Sequence, residues 1–226
     1  MIDKFVPDIA QALAGIQSGA TIMIGGFGSV GQPNALIDGL VDLGITDLTI
    51  IANNAGAAFG GLPKLMEAGA VRKVVCSYPR SADSSTFVDL YRDGKIELDL
   101  IPQGTLAERI RAAGAGVPAF FTPTGAGTLL ARGKESREIN GRLCVLEEAL
   151  FADIALIEAW EADRWGNLTF NGSGRNFNPI MAAAGRLTIV QTQHRVELGA
   201  LNPAHVMTPG LYVNRVLHVP YGRPIR

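Results

Sequence analysis

Four stretches of this 226-residue sequence carry residue types at spacings that could do chemistry. The first is Gly25-Gly26-Phe27-Gly28-Ser29-Val30-Gly31, which follows the apolar run TIMI (21–24) and precedes Pro33. Glycines between a strand and a helix can expose backbone N–H groups to an anion or a developing oxyanion. The alternative is a tight strand-to-helix turn that holds no ligand. The second stretch is the pair Asn53-Asn54, which closes the run LTIIA (48–52). The third is IPQGTLAER (101–109), where a strand end runs into a helix and sets the Gln103 amide at the C-terminal edge of a sheet. Ligands of open α/β sheets bind at that edge. The fourth is the glycine-rich segment 114–128 with the adjacent aromatics Phe120 and Phe121, either a wall around a bulky cofactor or a packed loop.

Several familiar chemistries fail on these residues. Read from Gly26, the first stretch spells G-x-G-x-x-G, the outline of a dinucleotide-binding fingerprint. That fingerprint needs an acid about 20 positions on, at the C-terminal end of the second strand. Asp47 has the spacing but precedes LTIIA, so it lies at the wrong end, and Asn53-Asn54 stand where the acid belongs. Pro33 also falls where such a helix would already be running. Around Ser29 the glycines are displaced from a nucleophile elbow. Gly127 to Lys134 is one residue too long for a phosphate-binding loop, and Glu135 follows it. His194, His205 and His218 have no metal-ligand spacing and read as surface or core residues, so no metal is expected. Asp83, Ser84 and Ser85 form no nucleophile–base arrangement, and Glu161, Asp163 and Arg164 read as a solvated or interface-facing turn. The sequence offers ligand-cradling features without a nucleophile.

The elements that must position these residues alternate. Strands are predicted at 21–24, 48–52, 71–77, 95–101, 153–160, 187–192 and 211–219, with amphipathic segments near 4–17, 33–43, 61–69, 84–93 and 104–113. Buried strands alternating with helices imply an α/β fold, a mostly parallel open sheet with helices on both faces. Segment 114–128 reads as a long loop and 129–170 as a small β-rich extension, all within a single domain spanning 1–226. Hydrophobic residues make up 47% and charged residues 18%, enough apolar material for a sizeable core. A net charge of −1 without a basic cluster argues against nucleic acid or an anionic membrane as partner. No apolar run approaches the roughly 18 residues that span a bilayer. The N-terminal MIDKFVPDIAQAL lacks the apolar core of a secretory signal. Cys76 and Cys144 sit in apolar strand contexts and read as reduced buried thiols of a cytoplasmic enzyme.

The motifs together resemble the first subunit of the family I CoA-transferases that act on 3-oxo acids. GGF-x-x-x-G-x-P (25–33), NNAG (53–56), PQGTLAERIRAAGAGVPAFFTPTGAGT (102–128), DRWGNLTF (163–170), RNFNP (175–179) and TPGLYVNRV (208–216) carry the resemblance over nearly the whole chain. It implies that fold, with no permanently bound cofactor and a coenzyme A thioester as substrate. It also implies a reaction through a glutamyl-CoA thioester whose glutamate lies in a Ser-Glu-Asn-Gly motif of a second subunit. No such motif occurs here, so the resemblance implies a beta-subunit partner, two of each chain fitting the family. By the same resemblance Gln103 donates to the oxyanion, Asn53 contacts substrate or intermediate, and residues 25–31 bind CoA. After the third predicted strand, Ser77-Tyr78-Pro79-Arg80-Ser81-Ala82-Asp83 is similar to the members that transfer CoA from succinyl-CoA to 3-oxoadipate. Acetoacetate-type members usually differ there. A guanidinium fork matches a carboxylate, so Arg80 is a candidate specificity contact for a dicarboxylate; capping the sheet edge or bridging subunits are the alternatives.

Overall fold

The computed structural model describes residues 2–56, 61–81 and 84–220, so Asp83 lies outside the described residues. In chain order the strands and α-helices are β1 (Phe5–Val6), α1 (Ile9–Ala12), β2 (Thr21–Ile24), α2 (Asn34–Asp42), β3 (Leu48–Ala52), α3 (Leu62–Glu67), β4 (Val71–Cys76), α4 (Thr86–Arg92), β5 (Glu97–Leu100) and α5 (Gln103–Gly114). There follow β6 (Ala119–Thr122), β7 (Ser136–Ile139), β8 (Arg142–Glu148), β9 (Ala152–Ala162), β10 (Leu168–Thr169), α6 (Asn178–Ala184), β11 (Gly185–Arg195) and β12 (Arg215–His218).

The main sheet runs β1-β12-β11-β9-β2-β3-β4-β5, every neighbouring pair parallel, with short β10 returning antiparallel on β9. Side-chain alternation divides its core in two. Ile22, Ile24, Ile50, Ala52, Val74, Cys76 and Leu156 pack on one face against Leu36, Leu40, Leu65 and Phe87 of the helices α2 to α4. Met23, Ile51, Val75, Ala155 and Ile157 pack on the other against Leu106 and Ile110 of α5 and Met181 of α6. Strands buried on both faces need continuous apolar runs, as TIMI and LTIIA supply. From β2 the order extends through β3 to β5 one way and through β9 to β12 the other. The switch point therefore lies between β2 and β9, where a crevice opens beyond the carboxyl ends of the strands. The glycine stretch begins at that point.

The sheet, its parallel register and the predicted helices at 33–43, 61–69, 84–93 and 104–113 agree with expectation; four local assignments do not. Segment 4–17 is a two-residue strand and one turn of helix, because Pro7 interrupts the pattern and Asp8 then caps α1 through Gln11 N–H at 2.8 Å. Residues 211–212 belong to a 3₁₀ turn after Pro209, so the last strand starts only at Arg215. The loop 114–128 contains β6, which pairs antiparallel with β8. The β-rich extension is a three-stranded sheet β6-β8-β7, whereas residues 152–162 enter the main sheet as a central strand. That small sheet is held to α5 by Arg109, whose Nε donates to the Glu148 carbonyl at 2.7 Å and whose guanidinium lies 3.7 Å from buried Glu147. Lys134 pairs with the same Glu147 carboxylate.

Both cysteines are free and buried. Burial pushes the Cys76 thiol up to about 12, a backbone hydrogen bond from Tyr78 opposes the shift and Asp99 adds to it. The thiolate is the reactive form, so iodoacetamide at about pH 8 should leave Cys76 unmodified in the folded protein and label it in denaturant. Labelling at the rate of an unfolded thiol under native conditions would show that the end of β4 opens freely.

Candidate functional site at the carboxyl edge of the sheet

The loop after β2 is built as a small hook. Phe27 and Val30 exchange backbone hydrogen bonds at 3.0 and 3.1 Å, leaving Gly28 and Ser29 at the tip. Gly28 has φ +62°, a left-handed conformation that glycine adopts without strain. Most of the loop's amides are already engaged. Gly25 N–H donates to the Leu156 carbonyl at 3.0 Å, Gly26 N–H to Asn176 Oδ1 at 3.1 Å and Gly28 N–H to Asn54 Oδ1 at 3.0 Å. Only the Ser29 and Gly31 amides have no acceptor among the described residues, and Gly31 is buried. The hook therefore lacks the row of free N–H groups that an anion nest requires. What it presents outward is Ser29 with the side chains of Phe27, 50% exposed, and Val30, 47% exposed.

The segment RNFNP at 175–179 holds the base of this hook. Asn176 Nδ2 donates to the Val30 carbonyl at 3.0 Å, and Asn178 Nδ2 to the carbonyls of Gly31 at 3.0 Å and Gly174 at 2.8 Å. Asn178 Oδ1 accepts the Glu158 N–H at 3.1 Å, tying loop, α6 and β9 together. The close approach explains two glycines. A Cβ on Gly31 would lie 2.6 Å from the Gly174 carbonyl oxygen, and one on Gly25 would overlap the Asn178 amide.

Asn53 and Gln103 meet one strand further along. Gln103 opens α5, and its Nε2 donates to Asn53 Oδ1 at 2.6 Å. Asn53 is 2% exposed, and its backbone carbonyl accepts the N–H groups of Ser77 and Tyr78, each at 3.1 Å. Anchoring one N–H of the Gln103 amide fixes the plane of the group and leaves the second for a ligand oxygen. Such a donor, held before the reaction begins, is what stabilises a developing oxyanion. Asn53 is buried at the strand end and anchors the more exposed Gln103 amide through its Oδ1.

Arg80 follows β4 on the same edge, is exposed and forms no ion pair among the described residues. No hydrogen bond joins it to Gln103, Asn53 or the glycine hook. One expectation is settled by geometry. Asp47 lies at the opposite end of β3 and pairs with Arg72 at 3.0 Å, which removes the dinucleotide reading. Among the described residues no three metal-capable side chains cluster, and no helix is long and apolar enough to cross a membrane. Glu158 is a half-buried carboxyl near this edge. Burial pushes it above the ordinary carboxylate range, while the amides of Gln193 at 3.1 Å and Gln191 at 3.4 Å pull it back. It shares the sheet face of Leu156, whereas Asn53 shares that of Ile51, so sheet backbone separates this carboxyl from the Gln103 amide.

Asn54, Asn176 and Asn178 have no role that sequence reasoning assigns. Their signal is present, asparagines at strand and helix boundaries within NNAG and RNFNP, but only the folded chain shows which amides and carbonyls they hold.

Residues 6–218 match the family described as Coenzyme A transferase. The chain is 59% identical to the alpha subunit of 3-oxoadipate CoA-transferase from Pseudomonas putida, over 97% of this chain and 95% of that one. Identity to the protein of the same name from Acinetobacter baylyi is 54%, over 97% and 96% of the two chains. The alpha subunit of succinyl-CoA:3-ketoacid coenzyme A transferase from Xanthomonas campestris is 50% identical, over 95% and 88%. Among solved structures, the acyl-CoA transferase YdiF of E. coli O157:H7, crystallised as a thioester complex with CoA, superposes with a TM-score of 0.84 at 24% identity. That match covers all of this chain and 50% of YdiF, so the chain spans half the YdiF polypeptide. Glutaconate coenzyme A-transferase of Acidaminococcus fermentans gives 0.83 at 23% identity, over 97% and 76%. At these identities the structures show the shared fold.

Proposed function

Since the chain belongs to the coenzyme A transferase family, we propose that it is the alpha subunit of an enzyme that moves CoA from succinyl-CoA to 3-oxoadipate. The observation that supports this most is the Gln103 amide, anchored at 2.6 Å by buried Asn53 with one N–H left over at the edge of the sheet. Acyl transfer at a thioester or anhydride needs such a donor, because every attack on a carbonyl in the cycle makes an oxyanion.

In the proposed cycle a glutamate carried by a beta chain attacks the thioester carbonyl of succinyl-CoA. The C–S bond breaks, giving a glutamyl–succinyl anhydride and CoA thiolate. The thiolate attacks the glutamyl carbonyl and expels succinate, leaving the glutamyl-CoA thioester. The 3-oxoadipate carboxylate then attacks that carbonyl and releases the thiolate, which takes the acyl group from the new anhydride and frees the glutamate. No permanently bound cofactor enters. Gln103 stabilises the oxyanions, and the hook formed by Gly25, Gly26, Phe27, Gly28, Ser29, Val30 and Gly31 contacts the acyl-CoA through its exposed tip. Binding energy from such non-reacting parts lowers the barrier when it is realised at the transition state. Two alpha and two beta chains complete the reading, placed in the cytoplasm because free thiols fit a reducing compartment.

Both acyl groups are dicarboxylates, so each keeps a free carboxylate after activation. Arg80, exposed and without an ion pair among the described residues, is the proposed contact for it. Arg80→Ala should lower kcat/KM for 3-oxoadipate about tenfold, the loss of one charge-assisted hydrogen bond. Acetoacetate, with no second carboxylate, should be much less affected, and equal losses for the two acids would return Arg80 to a structural or interface role.

The deciding experiment is co-expression with a companion chain carrying the Ser-Glu-Asn-Gly glutamate. The complex should transfer CoA from succinyl-CoA to 3-oxoadipate. Comparable turnover with acetoacetate would overturn the specificity, and transfer by the isolated chain would overturn the division of the site between subunits.

A further inference from the structure

The tip of the glycine hook and the Gln103 amide are held by neighbouring residues. Asn54 Oδ1 accepts the Gly28 N–H at 3.0 Å, and Asn53 Oδ1 accepts the Gln103 amide at 2.6 Å. Asn53 Nδ2 reaches back to Asn54 Oδ1 at 3.5 Å, closing a row from the loop to the donor. The backbone beneath is fixed by a parallel bridge between Asn54 and Tyr78, with Ala55 N–H on the Tyr78 carbonyl at 3.1 Å. Two mutual backbone bonds between Phe27 and Val30 close the hook into one turn, and Asn176 holds its base at Gly26 and Val30. Among the described residues, Asn54 supplies the one side-chain tie at the tip.

We propose that Asn54 is a positioning residue for CoA transfer. It locks the loop tip to the strand end that carries the Asn53–Gln103 pair, so the free N–H of Gln103 points where the loop holds the acyl-CoA. Without it, hook and donor lose their common reference, and displacements of about 1 Å at a reacting centre cost up to about a hundredfold in rate. The inference rests on the proposed transfer reaction.

The test is a double-mutant cycle on the alpha–beta complex, with succinyl-CoA and 3-oxoadipate as substrates. Asn54→Ala should lower kcat by about tenfold to a hundredfold while KM changes less than about threefold. In a Gln103→Ala background the same substitution should cost less than about twofold, because the group it positions is gone. Multiplying losses, or a rise in KM with kcat intact, would overturn the assignment. If Asn54→Ala does not assemble with the beta chain, Asn54→Ser takes its place, since its shorter hydroxyl stops short of the Gly28 N–H; the same outcomes decide. A wild-type complex that transfers no CoA would instead overturn the proposed function itself.

Discussion

Replacing Gln103 by alanine is expected to lower kcat of the assembled enzyme by about 10²–10³, with KM nearly unchanged. One N–H of the amide is committed to Asn53 at 2.6 Å, so the group loses little freedom when an oxyanion forms beside the other. A donor already oriented in a dry site stabilises developing charge without reorganising, and removing one costs about 3–4 kcal/mol of transition-state stabilisation. Folding should not suffer, because Gln103 is only half-buried in the first turn of α5 and its side chain caps no helix. Gln103→Glu sharpens the test. It preserves volume but sets a carboxylate oxygen against Asn53 Oδ1 and an acceptor where a donor is needed. Its loss should equal or exceed that of alanine. A fall of less than about threefold for alanine would mean that Gln103 does not meet the oxyanion.

The sheet was legible in the sequence because its strands are buried on both faces. TIMI and LTIIA appear as strands with unchanged limits, and the helices between them follow from amphipathic spacing. What failed was decided by single residues or by distant partners. Pro7 cut the first amphipathic segment, and β6 exists only because residues after position 141 return to pair with it. The site divides the same way. Gln103 and Asn53 could be placed on the carboxyl edge from strand ends alone, since that edge is where strands run into helices. That they touch could not be read from the sequence. The glycine burst suggested a row of free amides, but acceptors on Asn54, Leu156 and Asn176, far along the chain from the loop, occupy those of Gly28, Gly25 and Gly26. Asn178 was legible only as part of a motif, although it fixes more of the loop's surroundings than any glycine does.

Asn178→Ala is the substitution with the largest expected effect on stability. Its side chain is wholly buried, at 0% exposure, and it serves three backbone groups: the carbonyls of Gly31 and Gly174 and the N–H of Glu158. A fully buried polar group left without a partner costs about 1–3 kcal/mol; Gly31 is buried while Gly174 and Glu158 are only partly so, and alanine should therefore remove about 3–6 kcal/mol. Folded domains have only about 5–15 kcal/mol in total, so the variant approaches the limit of folding. A water entering the space could restore part of the loss, which puts the lower figure within reach. Asn178→Asp distinguishes hydrogen bonding from volume. It keeps an oxygen for the Glu158 N–H but turns an acceptor toward two carbonyl oxygens that now lie 3.0 and 2.8 Å from a donor. A buried carboxylate facing two carbonyls is worse than an empty space, so urea midpoints should fall in the order wild type, alanine, aspartate. A loss below about 1 kcal/mol for alanine would show that the loop finds other partners. Aspartate more stable than alanine would show that filling the space matters more than the polarity of what fills it. With the expected order, α6 and β9 hold the base of the glycine hook through Asn178, and Gly25 and Gly31 are there to let that asparagine come close.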